Sequence, residues 1–233
     1  PAIPQEHKGL LYFLNHKFEV IKRAKLLGLI THSLKGLCFA GTHGKTTTSS
    51  MAAHIFNQSA IGCNAFLGGI SKNFNGNMVL GEGNRLAVEA DEFDRSFLRL
   101  NPDVAIITAV AADHLDIYGT AEAVKEAVEE LASQIKEGGA LILKQGVDIK
   151  FDTATRALYR YSCDNGGDFH AENIRLIEGG HYIYDIVLPD GRIEDCELGI
   201  LGKVHIENAV AAVAMLWCAA QIEGKTFDKE AVR

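Results

Sequence analysis

A glycine-rich loop lies between an apolar segment and a helix-compatible segment, and this arrangement constrains the fold more than any other feature of the chain. The apolar segment is 37–40, and the loop follows it directly. In a strand, loop and helix of this kind, backbone N–H groups can close around phosphate oxygens. The Lys45 ammonium can then reach the β- and γ-phosphates, and the Thr46 hydroxyl can ligate Mg²⁺. The loop and the turn after it consist of Gly41, Thr42, His43, Gly44, Lys45, Thr46, Thr47 and Thr48. The chain is therefore predicted to use ATP or GTP.

This loop is shorter than the general phosphate-binding pattern. That pattern has glycine five residues before the Gly-Lys pair, and Phe39 occupies the position here. The alternative interpretation is a helix that begins after a glycine turn and is capped by a threonine. The strand before the loop and the helix after it favour phosphate binding.

The composition limits the classes of protein to which the chain can belong. Hydrophobic residues make up 47% of its 233 residues and charged residues 23%, which is typical of a folded protein with one main core. The net charge of -7 argues against a nucleic-acid groove or an anionic membrane as partner, because both select basic surfaces. The longest apolar run, 209–220, is about half as long as a membrane span, and no charged and apolar leader opens the chain.

The cysteines indicate a reducing, cytoplasmic setting. They are five in number, lie far apart and form no Cys-x-x-Cys pair, so they suggest neither a disulfide framework nor a zinc site. The five are Cys38, Cys63, Cys163, Cys196 and Cys218.

Apolar runs and helical periodicities alternate along the first part of the chain. This alternation predicts an α/β fold with a doubly wound, mostly parallel sheet that carries the phosphate-binding loop. The predicted strands are 37–40, 86–88, 104–107 and 140–143, and the predicted helices within this part are 46–57 and 120–136.

Two further regions of this part have their own expectations. A helix is expected over 19–29, with Val20 on its apolar face, after an extended connector over 1–8. A glycine- and asparagine-rich surface loop is expected over 68–83, with a short strand at 78–80.

The pattern changes after about residue 159. Three segments there show nearly alternating apolar and polar residues, and the pairs Gly179-Gly180 and Asp190-Gly191 between them are hairpin signals. These segments are 169–176, 182–188 and 192–198. They predict a small antiparallel sheet within 159–200, and the nearly all-apolar segment 205–220 predicts a buried helix.

Polar residues follow the predicted strands at three places, where ligands of open α/β sheets bind. The loop is the first. The carboxylates of the run 89–94 could hold Mg²⁺ together with Thr46, or could form a solvated acidic turn. His114, flanked by carboxylates in the run 113–116, could bind a metal or relay a proton, or could be structural or exposed. Because all three groups are expected at one sheet edge, one site accounts for them.

Asn208 and His205 form a fourth candidate at the start of the last predicted helix. Asparagine at a helix start usually caps the helix. Its amide could alternatively bind adenine, which offers both a donor and acceptors. Both interpretations of Asn208 stay open at this point.

The order and spacing of these motifs resemble those of the central, ATP-binding domain of the Mur ligases, which share a superfamily with the folylpolyglutamate synthetases. The matching pieces are the loop 41–48, the acidic run 89–92, the stretch 96–98, the histidine run 112–116 and, more weakly, 207–209. The resemblance covers nearly the whole chain. The stretch 96–98 and the histidine run favour the member that adds alanine.

The resemblance implies specific roles for five residues, with ATP and Mg²⁺ as cofactors. Lys45 would bind the β- and γ-phosphates. Thr46 and Glu89 would hold one Mg²⁺, and His114 would serve a second. Asn208 would contact adenine.

In such ligases, ATP phosphorylates the carboxylate of UDP-N-acetylmuramate, and the amino group of L-alanine attacks the acyl phosphate. A related ligase that reattaches recycled tripeptide is a second possibility. A plain phosphate-binding-loop NTPase, with His114 in a hydrolytic role, and a non-catalytic nucleotide-binding module are possibilities outside the family. The chain departs from the family pattern at Ala109 and Ala111, where an asparagine and an acidic residue are common, and at His205, where an asparagine is expected.

The resemblance also implies a division of the chain. Residues 1–33 resemble a connector and helix from the end of a preceding domain, 34–220 the central ATP-binding domain, and 221–233 the lead into a following domain. Family members bind the UDP-sugar on the preceding domain and the amino acid with help from the following one. We therefore expect these 233 residues to be a fragment that cannot form the peptide bond by itself.

Overall fold

The computed structural model describes residues 3–93, 95–111, 115–164 and 166–233, with the backbone alone at 115 and 116. The helices within these ranges are α1 Lys8–Asn15, α2 Arg23–Ser33, α3 Lys45–Gln58, α4 Leu115–Tyr118, α5 Ala121–Ser133 and α6 Val204–Ile222. The strands are β1 Lys35–Ala40, β2 Asn64–Ser71, β3 Gly76–Val79, β4 Arg85–Glu89, β5 Pro102–Ile107, β6 Ala140–Lys144, β7 Ala157–Tyr161, β8 His170–Leu176, β9 Tyr182–Leu188 and β10 Gly191–Leu198. Short 3₁₀ turns lie at Ser96–Arg99 and Glu178–Gly180.

Seven of the described strands form one sheet in the order β3-β2-β4-β1-β5-β6-β7. Neighbouring strands run parallel throughout, except where β3 pairs antiparallel with β2 at the edge. The other three, β10-β9-β8, form a small antiparallel sheet. The predicted fold class is therefore confirmed.

Strand β1 shows why helices cover both faces of the large sheet. Leu37 and Phe39 belong to the core that contains α3 and α6, whereas Cys38 and Ala40 belong to the core of α2 and α5. All four side chains are at most 1% exposed, so the strand has no solvated face. A strand buried on both faces reads as an unbroken apolar run, as 37–40 does.

Helix α6 is apolar on all sides because it has protein on all sides. It packs against α3, against β5, β6 and β7 of the large sheet, and against β8 of the small sheet. Of the described helices, it alone is long and apolar enough to pass a length and composition test for a membrane span, yet 72% of its apolar window is buried inside the protein. Its hydrophobicity is thus explained by its place between the two sheets.

The amino-terminal helices differ from the prediction. A first helix, α1, lies ahead of the helix predicted over 19–29. Helix α2 begins at Arg23 and continues to Ser33, so the exposed Val20 lies outside it. The buried residues of α2 include Gly28 and Thr31. A Cβ on Gly28 would lie 2.4 Å from the backbone oxygen of Arg99, so this helix is placed by a close backbone approach. Hydrophobic periodicity does not detect such a contact.

The surface loop expected over 68–83 is wrong at 68–71 and 76–77, which belong to strands. Strands β2 and β3 form a hairpin there, with the predicted short strand at its end. Strand β2 also pairs with β4 from Asn64 to Phe66. The hydrogen bonds between strands join backbone groups, so a segment with five glycines over 68–83 can still contain strands.

The boundary of the small sheet also differs from 159–200. Residues Ala157–Tyr161 form β7, which pairs in parallel with β6 and completes the large sheet. The antiparallel sheet begins at His170 and ends at Leu198. Strand β7 lies at the edge of the large sheet and four of its five residues are half-buried, so it lacks the unbroken apolar run of the central parallel strands.

Candidate active site

The predicted loop connects β1 to α3 at the carboxyl edge of the large sheet. Gly41 has φ 116° and Gly44 has φ 85°, which are left-handed conformations that favour glycine. A Cβ on Gly41 would lie 2.4 Å from the Oγ1 atom of Thr108, just after β5. Both glycines are therefore required by the path of the backbone.

The residues that follow β5 stabilise this loop through hydrogen bonds. The Thr108 hydroxyl donates to the backbone oxygens of Ala40, at 3.2 Å, and His43. The Ala109 backbone oxygen accepts from the Thr42 N–H at 3.2 Å, and the Ala111 N–H donates to the Thr42 hydroxyl at 3.0 Å. Ala109 and Ala111 thus support the loop through backbone groups, which any residue could supply.

Glu89, the last residue of β4, lies at the centre of a hydrogen-bond cluster. The Thr46 hydroxyl donates to its Oε2 atom at 2.9 Å, and the Ser49 hydroxyl donates to its Oε1 atom at 3.0 Å. The backbone N–H of Gly68, on β2, also donates to Oε1. Donors from α3 and β2 reach the same carboxylate because β4 lies between β1 and β2 in the sheet.

The pair Thr46 and Glu89 offers oxygen ligands of the kind that Mg²⁺ prefers. Thr46 is exposed and Glu89 is half-buried, so an ion could reach both side chains. Among the residues that the structure describes, no group of three or more His, Cys, Asp and Glu side chains could hold a metal ion. An ion at this edge would therefore take its remaining ligands from phosphate and water, as Mg²⁺ usually does.

Lys45, the first residue of α3, has its ammonium directed back over the loop. The Nζ atom donates to the Gly41 backbone oxygen at 2.8 Å and to the two carboxylate oxygens of Glu92 at 2.9 and 3.0 Å. The Glu92 side chain is 7% exposed and the Lys45 side chain 15%, so water screens this ion pair weakly. The alternative of a solvated acidic turn therefore does not hold for Glu92, which is buried and paired with Lys45.

Asn208 reaches the same loop from α6. Its Oδ1 atom accepts from the Thr48 hydroxyl at 3.3 Å, and its Nδ2 atom lies 3.4 Å from the Nδ1 atom of His205. Helix α6 begins at Val204 after the N-cap residue Lys203, so Asn208 lies inside the helix. The interpretation of Asn208 as the N-cap is wrong, because the helix starts one turn earlier.

The structure unites most of the predicted site residues and adds others. The loop, Glu89 and Asn208 meet at one edge, whereas His114 lies outside the described residues. Sequence reasoning missed the contributions of Ser49, Gly68 and Thr108. Ser49 follows Thr46 by three residues on α3, and this spacing could have placed it on the same face. Gly68 and Thr108 had no comparable local signal.

A glycine loop between a buried parallel strand and a helix, with lysine and threonine at the start of that helix and a carboxylate on the next strand, defines an α/β domain of the phosphate-binding-loop class. Within this class the match to one family is specific. Residues 39–216 match the family model of the Mur ligase middle domain, and the chain belongs to this family.

Similar proteins agree with this assignment. A UDP-N-acetylmuramate--L-alanine ligase from Parabacteroides distasonis is 52% identical over 220 residues, which cover 93% of this chain and 47% of that protein. One from Phocaeicola vulgatus is 50% identical over 231 residues, which cover 98% of this chain and 49% of that protein. The chain thus spans about half the length of these relatives.

Solved structures share the fold at lower identity. The UDP-N-acetylmuramate-alanine ligase from Thermotoga maritima matches all of this chain and 52% of that one, with a TM-score of 0.76 and 21% identity. The UDP-N-acetylmuramate:L-alanyl-gamma-D-glutamyl-meso-diaminopimelate ligase from Neisseria meningitides matches 99% of this chain and 75% of that one, with a TM-score of 0.76 and 20% identity. At these identities the two structures establish the fold alone.

Proposed function

We propose that the chain is the ATP-binding domain of a ligase that joins L-alanine to the carboxylate of UDP-N-acetylmuramate. The observation that carries the proposal is the Thr46 and Glu89 pair beside Lys45, in a chain that is about half identical to ligases of this name over more than nine-tenths of its length. The division into 1–33, 34–220 and 221–233, with further domains on either side, is part of the same proposal.

The reaction has two steps. The carboxylate of UDP-N-acetylmuramate attacks the γ-phosphorus of ATP, which forms an acyl phosphate and releases ADP. The amino group of L-alanine then attacks the acyl carbon, which forms the amide bond and releases phosphate. Both steps pass through concentrated negative charge on oxygen, and catalysis therefore depends on positioned positive charge and N–H donors.

The loop supplies these groups for the first step. The backbone N–H groups of Gly41, His43 and Gly44, with those of Lys45, Thr46 and Thr47 at the start of α3, would bind the phosphates. The Thr42 N–H donates to the Ala109 backbone oxygen, so the part of Thr42 is to hold the loop in shape. The Lys45 ammonium bonds the β- and γ-phosphates. The Asn208 amide binds adenine, a role supported by its contact with Thr48 beside the loop.

Thr46 and Glu89 fit Mg²⁺ by the chemistry of their oxygens, and His114 is proposed to serve a second ion. A bound Mg²⁺ would neutralise charge on the phosphates during transfer. The protein's part is to orient the Glu89 carboxylate, which the hydrogen bonds from Ser49 and Gly68 achieve. With these contacts in place, the Oε2 atom of Glu89 faces the Thr46 hydroxyl at the end of the loop.

Other functions for the same fold are less well supported. The ligase for recycled tripeptide has a similar fold, but the relatives at 50% and 52% identity carry the L-alanine name. A plain NTPase or a non-catalytic nucleotide module needs no second substrate. Membership of a ligase family favours a protein that has a second substrate. A cytoplasmic location, with UDP-N-acetylmuramate and L-alanine as partners, belongs to the proposal because ATP and both substrates are available there.

The experiment measures ADP release by the full-length protein with MgATP. Release that requires UDP-N-acetylmuramate and L-alanine together, with formation of the amide product, is the expected result, and Lys45→Met should abolish it. ADP release that neither substrate changes would identify an NTPase. Product formed with the tripeptide L-alanyl-γ-D-glutamyl-meso-diaminopimelate in place of L-alanine would identify the recycling ligase. Nucleotide binding without turnover would identify the non-catalytic module.

A further inference from the structure

The Lys45 ammonium has three N–H donors, and protein acceptors engage all of them. One bond goes to the Gly41 backbone oxygen and two go to the Glu92 carboxylate. A phosphate oxygen that binds Lys45 must therefore replace at least one of these acceptors. The backbone oxygen is neutral, whereas the carboxylate competes with phosphate in charge as well as in hydrogen bonding.

Glu92 is fixed in place by its surroundings. The residue is 5% exposed, and its backbone oxygen accepts from the Tyr118 hydroxyl at 2.6 Å. The Arg95 guanidinium carbon lies 5.4 Å from the centre of the Tyr118 ring. The Glu92 backbone is thus bonded to Tyr118 and its side chain is 7% exposed, so the carboxylate charge stays close to the loop when Lys45 changes partners.

We propose that Glu92 is a positioning residue that holds Lys45 against the loop and competes with the phosphates of the nucleotide for its ammonium. The inference rests on the proposed nucleotide site. It has two consequences. Lys45 is already directed to the loop before a phosphate reaches it, and the affinity for ATP stays below the maximum that the loop could reach. The same competition favours release of nucleotide after phosphoryl transfer.

The test compares variants of Glu92 in the full-length protein by calorimetric titration with MgATP and with adenosine. Glu92→Gln keeps the size and an acceptor for Lys45 but removes the charge, so we expect the Kd for MgATP to fall about tenfold, as one weakly screened charge near the phosphates implies. The Kd for adenosine should stay unchanged because adenosine carries no phosphate. Glu92→Asp keeps the charge and should not tighten binding.

Glu82→Gln is the matched control, since it makes the same substitution at an exposed residue outside the run 89–94. The Kd of this variant for MgATP should stay within about twofold of the Kd of the unchanged protein, because water screens exposed charges. Thermal unfolding establishes that each variant is folded, and Glu92→Ala, with the same expected tightening, replaces the glutamine variant if that variant does not fold. A merely structural role for Glu92 would weaken binding in every variant.

The inference is overturned if Glu92→Gln leaves the Kd for MgATP unchanged or raises it, or if Glu82→Gln or the adenosine titration shows the same tightening. Failure of the proposed function looks different. A protein that binds MgATP more tightly after Glu92→Gln but forms no amide product would keep this inference and refute the ligase. A protein with ligase activity and no response to Glu92→Gln would refute this inference alone.

Discussion

Gly68 and Glu89 are in direct contact across neighbouring strands: the Gly68 N–H donates to the carboxylate, and a Cβ on Gly68 would lie 2.3 Å from the Glu89 Oε2 atom. Real Cβ atoms do not come this close to an oxygen. The carboxylate that pairs with Thr46 is thus held in place by a position on β2 that must lack a side chain.

Replacement of this glycine should damage the candidate metal site without unfolding the protein. In Gly68→Ala the new methyl group must displace the Glu89 carboxylate, and we expect the affinity for MgATP to fall about tenfold or more, as for other residues that orient a metal ligand. Gly69→Ala is the control, because a Cβ there would lie 3.4 Å from the Thr46 Cγ2 atom, an ordinary contact. Calorimetric titration of both variants tests the prediction, and equal losses would contradict it.

Glu89→Gln should weaken binding in a way that depends on the metal. Replacement of the carboxylate by an amide removes a charged oxygen ligand of the ion, so the Kd for ATP should rise about tenfold in the presence of Mg²⁺. With EDTA in place of Mg²⁺ the Kd should change little. The exposed Glu82 provides a control variant, Glu82→Gln, that removes a charge elsewhere. A Kd that rises equally with and without Mg²⁺ would assign Glu89 to the loop structure rather than to the ion.

Arg85 and Glu223 form a buried ion pair between the start of β4 and the end of α6, away from the candidate site. Arg85 is fully buried and donates to Glu223 and, at 2.6 Å, to the Ile61 backbone oxygen. Arg85→Ala should lower the free energy of unfolding by about 3–5 kcal/mol, because it leaves a buried carboxylate without its main partner. Urea unfolding measures this loss.

The exposed pair of Arg175 and Asp195, with N and O atoms 2.7 Å apart, is the matched control. Arg175→Ala should lower the free energy of unfolding by about 0–1 kcal/mol, since water already screens that pair.

Burial tends to raise the pKa of Glu223, but hydrogen bonds from Arg85 and Lys225 outweigh it and lower that pKa. The stabilisation by ionised Glu223 is therefore present above its unfolded pKa and is lost as pH falls through the folded pKa. Arg85→Ala should reduce this acid sensitivity, and an unchanged pH profile would contradict the assignment.

Asp185 should stabilise the small sheet by holding two distorted strands. Its carboxylate accepts from the Asn173 side chain at 2.6 Å and from the Asp195 N–H at 3.0 Å. Asn173 and Asp195 have φ 52° and 53° at irregularities in β8 and β10. Hydrogen bonds from Asn173 and then from the Asp195 N–H lower the pKa of Asp185, so its contribution exists above the unfolded pKa and disappears as pH falls through the lower folded value.

Asp185→Asn should therefore lower the free energy of unfolding by about 1.5–3 kcal/mol near neutral pH, the range for hydrogen bonds to a charged group. The difference from the unchanged protein should shrink in acid. Urea unfolding between pH 3 and pH 7, an interval chosen to span the reference pKa of about 3.9 for Asp, measures both effects. Glu194→Gln, at an exposed position of β10, is the control and should change stability little. A pH-independent loss in Asp185→Asn would assign the effect to packing.

Secondary structure was predictable where local pattern and tertiary environment agree. The apolar run at β1 and the helical spacing of α5 are such cases, and the predicted elements lie there. The prediction was wrong at α2, whose position depends on the approach of Gly28 to another segment, and at β2, whose pairing partner is remote in sequence. Side-chain periodicity carries no information about either contact.

The sequence by itself determined the class of the protein and the position of its glycine-rich loop, because the strand, the glycines and the first turn of α3 are contiguous and their conformations are local. Only the tertiary structure decided which charges meet there. Glu92 lies 47 residues from Lys45, and Glu89 lies 21 residues from Gly68, so their contacts exist only once β1, β2 and β4 lie side by side. Electrostatic pairing depends on distance in space, and the parallel sheet sets those distances.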